Sequence, residues 1–351
     1  MKANGKENSP LSAEAEKRFK DRTTKTDIAG VVLFYWMSSI ATVFMNKHLL
    51  SSSVFRGIPF LISAFQLEIA LVLFVLVGCV DRRKAVVLRK KRLVQLLPLC
   101  AVYVGMLGTN NICLKNVDIT LYQITRSLTI IFQLLFDVFL QKRATSGVSV
   151  FACIVVFVGF VMSVFIETEL SVFGVAMGVL SSVFTSVYCV LVKKSLPAAG
   201  DNELVLLHHT SFLGGLLLFC VSALIGEARS VTKEFLEPRE IGKMVFSGIL
   251  GCLVSFSIFL QIKKTSPLAS TISGTAKGCV QSILAVVLFQ RQITFLNCVG
   301  IVVSLSGSTL YSFSRMREAN KAESKGKSLS DVGRARENGG RGSEDKQEDR
   351  C

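Results

Sequence analysis

Formal charge is missing from long tracts of this 351-residue chain. Leu93–Leu114, Ala144–Ile166, Leu170–Val192, Leu204–Ile225 and Gln292–Ser314 each run 22 or 23 residues without a Lys, Arg, Asp or Glu. About 20 apolar residues cross the hydrocarbon core of a bilayer, so these tracts exclude an ordinary soluble domain. Metal-binding patterns are missing too. The ten cysteines are scattered and form no CxxC or zinc spacing. His208 and His209 are adjacent, about 100° apart on a helix, whereas a zinc pair prefers i and i+4. No His-box and no nucleophile–base arrangement lies near a membrane face, which argues against an enzyme and implies no metal and no cofactor. There is no N-x-S/T sequon, no C-a-a-X box at Cys351, no C-terminal dilysine or KDEL signal, and no cleavable signal peptide before the first apolar segment.

What is present is apolar mass and a biased charge distribution. Half of the residues are hydrophobic, with a mean hydropathy of +0.52. The net charge of +15 does not point to nucleic acid, because the basic residues flank apolar segments as the positive-inside rule predicts. Ten spans are expected, at about 28–50, 59–80, 93–114, 119–140, 148–166, 171–192, 204–225, 244–262, 268–289 and 294–313. The loops of one side hold 13 Lys and Arg (seven over 82–92, then Lys142, Arg143, Lys193, Lys194, Lys263 and Lys264), and those of the other side hold 7. That asymmetry predicts both termini in the cytosol. Residues 1–27 and 314–351 are polar and charge-rich and are expected to be disordered tails, although Ala13–Lys20 can form transient helix.

Ten spans divide into five and five, and an odd number per half inverts the second half relative to the first. The chain is therefore expected to be an all-α membrane protein of ten transmembrane helices in two inverted five-helix repeats, 28–166 and 171–313. A shift of 148 residues brings Lys115 onto Lys263, Ile124 onto Ile272, Gln133 onto Gln281, Val138 onto Val286, Leu140 onto Leu288 and Arg143 onto Arg291.

Two cations lie deep in these spans, Arg126 in the fourth and Lys277 in the ninth. A charge at that depth costs at least about 2.5–3.5 kcal/mol on insertion scales. It therefore faces a wet cavity and meets something there, and two cations suit a dianion. Tyr122 and Arg126 are i and i+4 and share a helix face. A guanidinium grips phosphate in bidentate geometry; the alternative is an ion pair of Arg126 with Glu68 or another internal acid. Around Lys277, Ser273 and Thr275 offer hydroxyls, while Gly274 and Gly278 allow close approach. Lys277 is a phosphate ligand or a member of a structural ion pair. Lys47, at the end of span 1, either snorkels to headgroups or lines the cavity mouth. His208 and His209 open span 7 as a hydrogen-bonding surface toward a polar ligand, a pH-sensitive contact or simple interfacial residues. Asn110-Asn111 lines the cavity or glues helices. Asp137 is expected to pair with Lys142 or Arg143, and Gly174 and Gly178 to serve packing.

The stretches YWMSSIATVFMNKHLL, GMLGTNNICLKNV followed by LYQITRSLT, and LQIKKTSPLASTISGTAKGCVQSILAV resemble nucleotide-sugar transporters of the drug/metabolite transporter superfamily, above all the GDP-fucose transporters. The likeness covers roughly residues 30–313. It implies a ten-span antiporter in the Golgi membrane that exchanges cytosolic GDP-fucose, or a related GDP-sugar, for luminal GMP. It maps the family's phosphate-side lysine onto Lys277, and its span 4 tyrosine and basic residue onto Tyr122 and Arg126. One segment departs. GDP-sugar transporters carry Phe-Tyr-Asn-Asn in span 7, linked to guanine recognition, where this chain has His208-His209-Thr210-Ser211. Either the base contacts or the base itself differ, which leaves a UDP-sugar or sugar-phosphate transporter as the alternative, with a non-transporting membrane scaffold behind it. A homodimer is compatible with all of these.

Overall fold

The computed structural model describes residues 10–80, 90–139, 145–166, 171–195, 203–264, 267–289 and 298–318. Among them there are helices and turns and no strands, as backbone groups in lipid require. We number the helices α1 (Pro10–Ser51), α2 (Pro59–Val80), α3 (Lys90–Asn116), α4 (Ile119–Ser127), α5 (Thr129–Phe139), α6 (Gly147–Ile166), α7 (Val172–Ser195), α8 (Glu203–Ile225), α9 (Pro238–Lys264) and α10 (Pro267–Phe289). A last helix, α11, covers 298–318. Eight segments are long and apolar enough to cross a membrane, and Ser273–Leu288 in α10 is a shorter apolar stretch. The exterior carries large apolar side chains such as Met37, Phe139, Phe165 and Leu224, the outward face that lipid selects.

Both expected tails differ from the sequence reading where they are described. The first helix begins at Pro10, a residue suited to an opening helical position. Ser314–Glu318 continues α11, because Ser314 is buried and its hydroxyl meets Ser146 Oγ and Ser149 Oγ, both at 2.8 Å. Residues 1–9 and 319–351, the loops carrying Arg82, Arg83, Lys84, Arg89, Lys142, Arg143 and Arg291, and the side chain of Asp137 lie outside the described residues.

The fourth expected span is two helices, not one. The chain leaves the helix at Leu128, whose N–H reaches back to Thr125 O at 3.2 Å in a tighter turn. Hydroxyls cause the break by competing for backbone carbonyls. Ser127 Oγ donates to Ile124 O (2.6 Å), Ser182 Oγ of α7 to Thr125 O (2.7 Å) and Ser186 Oγ to Thr129 O (3.0 Å). Arg126 thus falls in the last turn of α4, where the carbonyl end of a helix favours a cation.

Packing follows small residues. A Cβ on Gly178 of α7 would meet Cys113 Sγ and Thr125 Oγ1 at 2.8 Å, and one on Gly174 would meet Val117 and Asn116. These two glycines let α7 close on α3 and α4. A Cβ on Gly159 of α6 would strike Ser304 N of α11 at 2.5 Å. Among α1–α10 the most extensive helix contacts are α3 with α7, α1 with α9, and α2 with α8.

Candidate functional site

Helices α1, α4 and α10 bring the two cations together. Arg126 is accessible to solvent while its neighbours Tyr122, Ile124, Thr125 and Ser127 are buried. Its electrostatic neighbours are Tyr122, Tyr35 and Cys189, from α4, α1 and α7, so the exposed guanidinium sits where three helices meet. Its NH1 donates to Tyr122 Oη at 3.1 Å, and the guanidinium lies 5.8 Å from that ring's centroid. The Tyr122 hydroxyl donates onward to Asn110 Oδ1 of α3 at 3.0 Å. One turn of helix, i to i+4, is enough to build this pair.

Lys277 arrives from α10. Its Nζ donates to Ser39 Oγ of α1 at 2.7 Å and lies 5.5 Å from the centroid of the Tyr35 ring. Arg126 is close enough to act electrostatically on both Lys277 and Tyr35. Tyr35 hydrogen-bonds Ser39, so α1 supplies a phenol and a hydroxyl between the two cations. Nearby, Trp36 Nε1 donates to Ser273 Oγ at 2.9 Å, which fixes the turn of α10 that precedes Lys277. Among the described residues no carboxylate lies within ion-pair distance of Arg126 or Lys277. Glu68 is elsewhere, with Oε1 against Gly215 of α8. Among the described residues the internal ion pair left open by the sequence does not form.

The other sequence-selected residues are distributed differently. Lys47 donates to Leu114 O (2.8 Å) and Val117 O (2.6 Å), a cation on the carbonyl end of α3. Thr275 Oγ1 meets Ser312 Oγ of α11 at 3.2 Å. Two residues from Lys277, it points away by about 200°. His208 and His209 are buried at the start of α8. His209 Nδ1 pairs with Val205 O at 2.7 Å, while its Nε2 has no partner among the described residues. The rings meet edge to face, with centroids 6.0 Å apart. The asparagine pair splits: Asn110 joins Tyr122, whereas Asn111 Nδ2 ties α3 to Pro59 O (3.1 Å) and Ser63 Oγ (2.7 Å) of α2. Tyr35 and Ser39 are the residues that sequence reasoning missed. Their i, i+4 spacing inside an apolar run was the available signal.

Among the described residues no three His, Cys, Asp or Glu side chains form a metal-holding group. Among the described residues two cations, two phenols, an amide and hydroxyls gather within an apolar helical bundle, a set of groups that can bind an anion. The chain belongs to the Triose-phosphate Transporter family, whose pattern matches residues 26–312, and so it is a membrane transporter and not an enzyme. Among similar proteins, GDP-fucose transporter 1 of Dictyostelium discoideum is 38% identical over 303 residues, covering 84% of this chain and 82% of that protein. GDP-fucose transporter 1 of Mus musculus is 32% identical over 330 residues, covering 90% and 91%. The Golgi GDP-fucose transporter of Drosophila melanogaster is 33% identical over 295 residues, covering 80% and 88%. One solved crystal structure, 16% identical, shares the fold with a TM-score of 0.54 over 84% of this chain and 98% of the other.

Proposed function

We propose that the chain is a nucleotide-sugar antiporter of the Golgi membrane that imports GDP-fucose, or a related GDP-sugar, in exchange for GMP. The observation that carries this is the approach of Arg126 and Lys277, from different halves of the chain, to Tyr35, with no carboxylate among the described residues in ion-pair reach of either. The relatives named above are GDP-fucose transporters by name and match most of this chain. A nucleotide sugar carries about two negative charges and a nucleoside monophosphate roughly 1.5–2. Either one offsets two cations. An empty cavity holding both is costly to seal from water, and a loaded one is less so. That difference couples the inward–outward transition to occupancy, which makes exchange obligatory without ion or ATP coupling.

The architecture we assign is ten spans in two inverted repeats, 28–166 and 171–313, with both termini cytosolic. Helix packing supports the pairing. If α1 corresponds to α7, α2 to α8 and α3 to α9, then the α3–α7 contact exchanges with α9–α1, the α2–α9 contact with α8–α3, and α2–α8 with itself. Rocking of the two halves about a central site is the expected transport motion. In this reading Arg126 and Lys277 hold the phosphates, and Tyr122 and Ser273 border them. Lys47, Thr275, His208 and His209 complete the set selected from sequence, acting at the cavity's ends or in another phase of the cycle.

A second reading is a transporter of UDP-sugars or sugar phosphates, favoured by His208-His209-Thr210-Ser211 standing in place of Phe-Tyr-Asn-Asn. Counterflow distinguishes the two. Proteoliposomes preloaded with GMP, UMP or triose phosphate are offered a panel of labelled nucleotide sugars. Uptake of GDP-fucose driven by GMP and not by UMP is the expected result. Uptake driven by UMP or triose phosphate alone overturns the guanine assignment, and no flux of any phosphorylated solute overturns the antiporter.

A further inference from the structure

The chain has five tyrosines. Tyr35 and Tyr122 serve the cations, and Tyr311 lies beneath Arg315. The remaining two, Tyr103 of α3 and Tyr188 of α7, stack on one another with centroids 5.2 Å apart and planes inclined by 25°. Both rings lie deep in the bundle, yet both keep accessible surface. Tyr188 also packs against Leu96, Leu99 and Leu206. Neither hydroxyl has a hydrogen-bond partner among the described residues, although a buried phenol ordinarily finds one. Gly214 of α8 lies beside the Tyr103 ring, where a Cβ would come within 3.3 Å of it. Cys189, the residue after Tyr188, is an electrostatic neighbour of Arg126, so the stacked pair adjoins the phosphate-binding region.

A nucleotide has a charged end and a flat aromatic end. The cations account for the first and leave the second without a partner. We propose that Tyr103 and Tyr188 form the stacking platform for the nucleobase, on the side of the cavity closed by α8. The proposal rests on the nucleotide reading given above and adds the location of the base. Stacking on an aromatic face is tolerant of base identity, so this platform sets affinity for nucleotides as a class and leaves the choice of base to its edge contacts.

The test uses the full-length protein in lipid nanodiscs with GMP as the probe. In deuterated protein carrying protonated tyrosine rings, saturation of the ring protons is expected to transfer to the base proton H8 of GMP. The transfer is expected to vanish in the Tyr103→Phe, Tyr188→Phe double variant, whose rings remain but are silent. Transfer that persists in the double variant puts the base on Tyr35 or Tyr122 and overturns the platform, as does absence of transfer from the parent protein when GMP binds. In parallel, Tyr188→Leu is expected to weaken GMP binding roughly tenfold, the order that one stacked base supplies, while Tyr188→Phe stays within about threefold of the parent. Unchanged binding in a folded Tyr188→Leu variant also overturns the platform. If that variant does not fold, the transfer experiment on the parent and the Phe pair still decides. A parent protein that binds no GMP at all strikes the nucleotide reading itself, a distinct outcome from binding without contact to these rings.

Discussion

Lys277 Nζ and Ser39 Oγ are 2.7 Å apart, although they lie in helices from opposite ends of the chain. The Nζ of Lys277 has the Ser39 hydroxyl of α1 as acceptor and the Tyr35 ring close by. Lys277→Gln retains much of the side chain's reach and a donor for Ser39 and removes the charge. Exchange is expected to fall roughly a hundredfold, the scale for losing one partner of a close charge pair, while the thermal midpoint in detergent holds. Counterflow at saturating substrate checks it. Parent-like exchange in this variant ends the two-cation mechanism.

Arg126→Lys tests geometry and not charge. Lysine keeps the cation but loses the planar fork that reaches Tyr122 Oη. Substrate affinity is expected to fall about tenfold or more with little change in thermal midpoint. Parent affinity in the Arg126→Lys variant means that the guanidinium geometry is not used.

Glu227, buried in the short turn after α8, caps another helix. Its Oε1 accepts from Phe60 N–H (3.1 Å), and its Oε2 from Leu61 N–H (2.9 Å) and Ser222 Oγ (2.8 Å). Glu227→Ala leaves the first turn of α2 without that carboxylate, at a cost of about 1–2 kcal/mol. A lowered melting midpoint is expected, with Glu227→Gln intermediate. Equal midpoints for all three proteins exclude the cap.

Glu318 ties α11 to the start of α6. Burial works to raise its pKa, but hydrogen bonds from Ser146 and Arg315, together with the Arg315 charge, outweigh burial and hold the carboxyl below the usual carboxylate range. A depressed folded value means that the tie is fully present above the unfolded value near ~4.3 and weakens as pH falls through the folded value. Glu318→Gln is therefore expected to lower the melting midpoint at neutral pH, and the gap between variant and parent to close on acidification. A gap that widens toward acid contradicts the sign of this linkage.

Gly159→Ala places a methyl group 2.5 Å from Ser304 N and 2.8 Å from Gly300 O. Both are backbone atoms that cannot rotate aside, so α6 and α11 must separate. Overpacking of this kind costs about 1–3 kcal/mol. Gly147→Ala, with nothing within 4 Å, is the matched control and is expected to melt like the parent.

Much of the site was legible because lipid makes charge conspicuous. Arg126 and Lys277 stand out in apolar tracts, and Tyr122 follows from helical spacing. The interruption at Leu128 was not legible, since the carbonyls there are drawn away by Ser182 and Ser186 of α7, more than fifty residues later. Thr275 and Ser273 read alike in sequence, yet one turns to α11 and the other to Trp36 of α1. Lys47, near the end of α1, takes carbonyls at the end of α3, a partner that hydropathy does not encode.

The amino-acid order by itself determined that the chain enters a membrane as helices and carries two deep cations, because about 20 apolar residues satisfy the hydrocarbon core and any charge within them is costly. Tertiary structure alone decided what each cation meets, that α4 ends beneath Arg126, and that Tyr103 finds Tyr188. Those outcomes depend on the rotation and depth of each helix against its neighbours, which are set by how side chains pack across helices and not by the composition of any one of them.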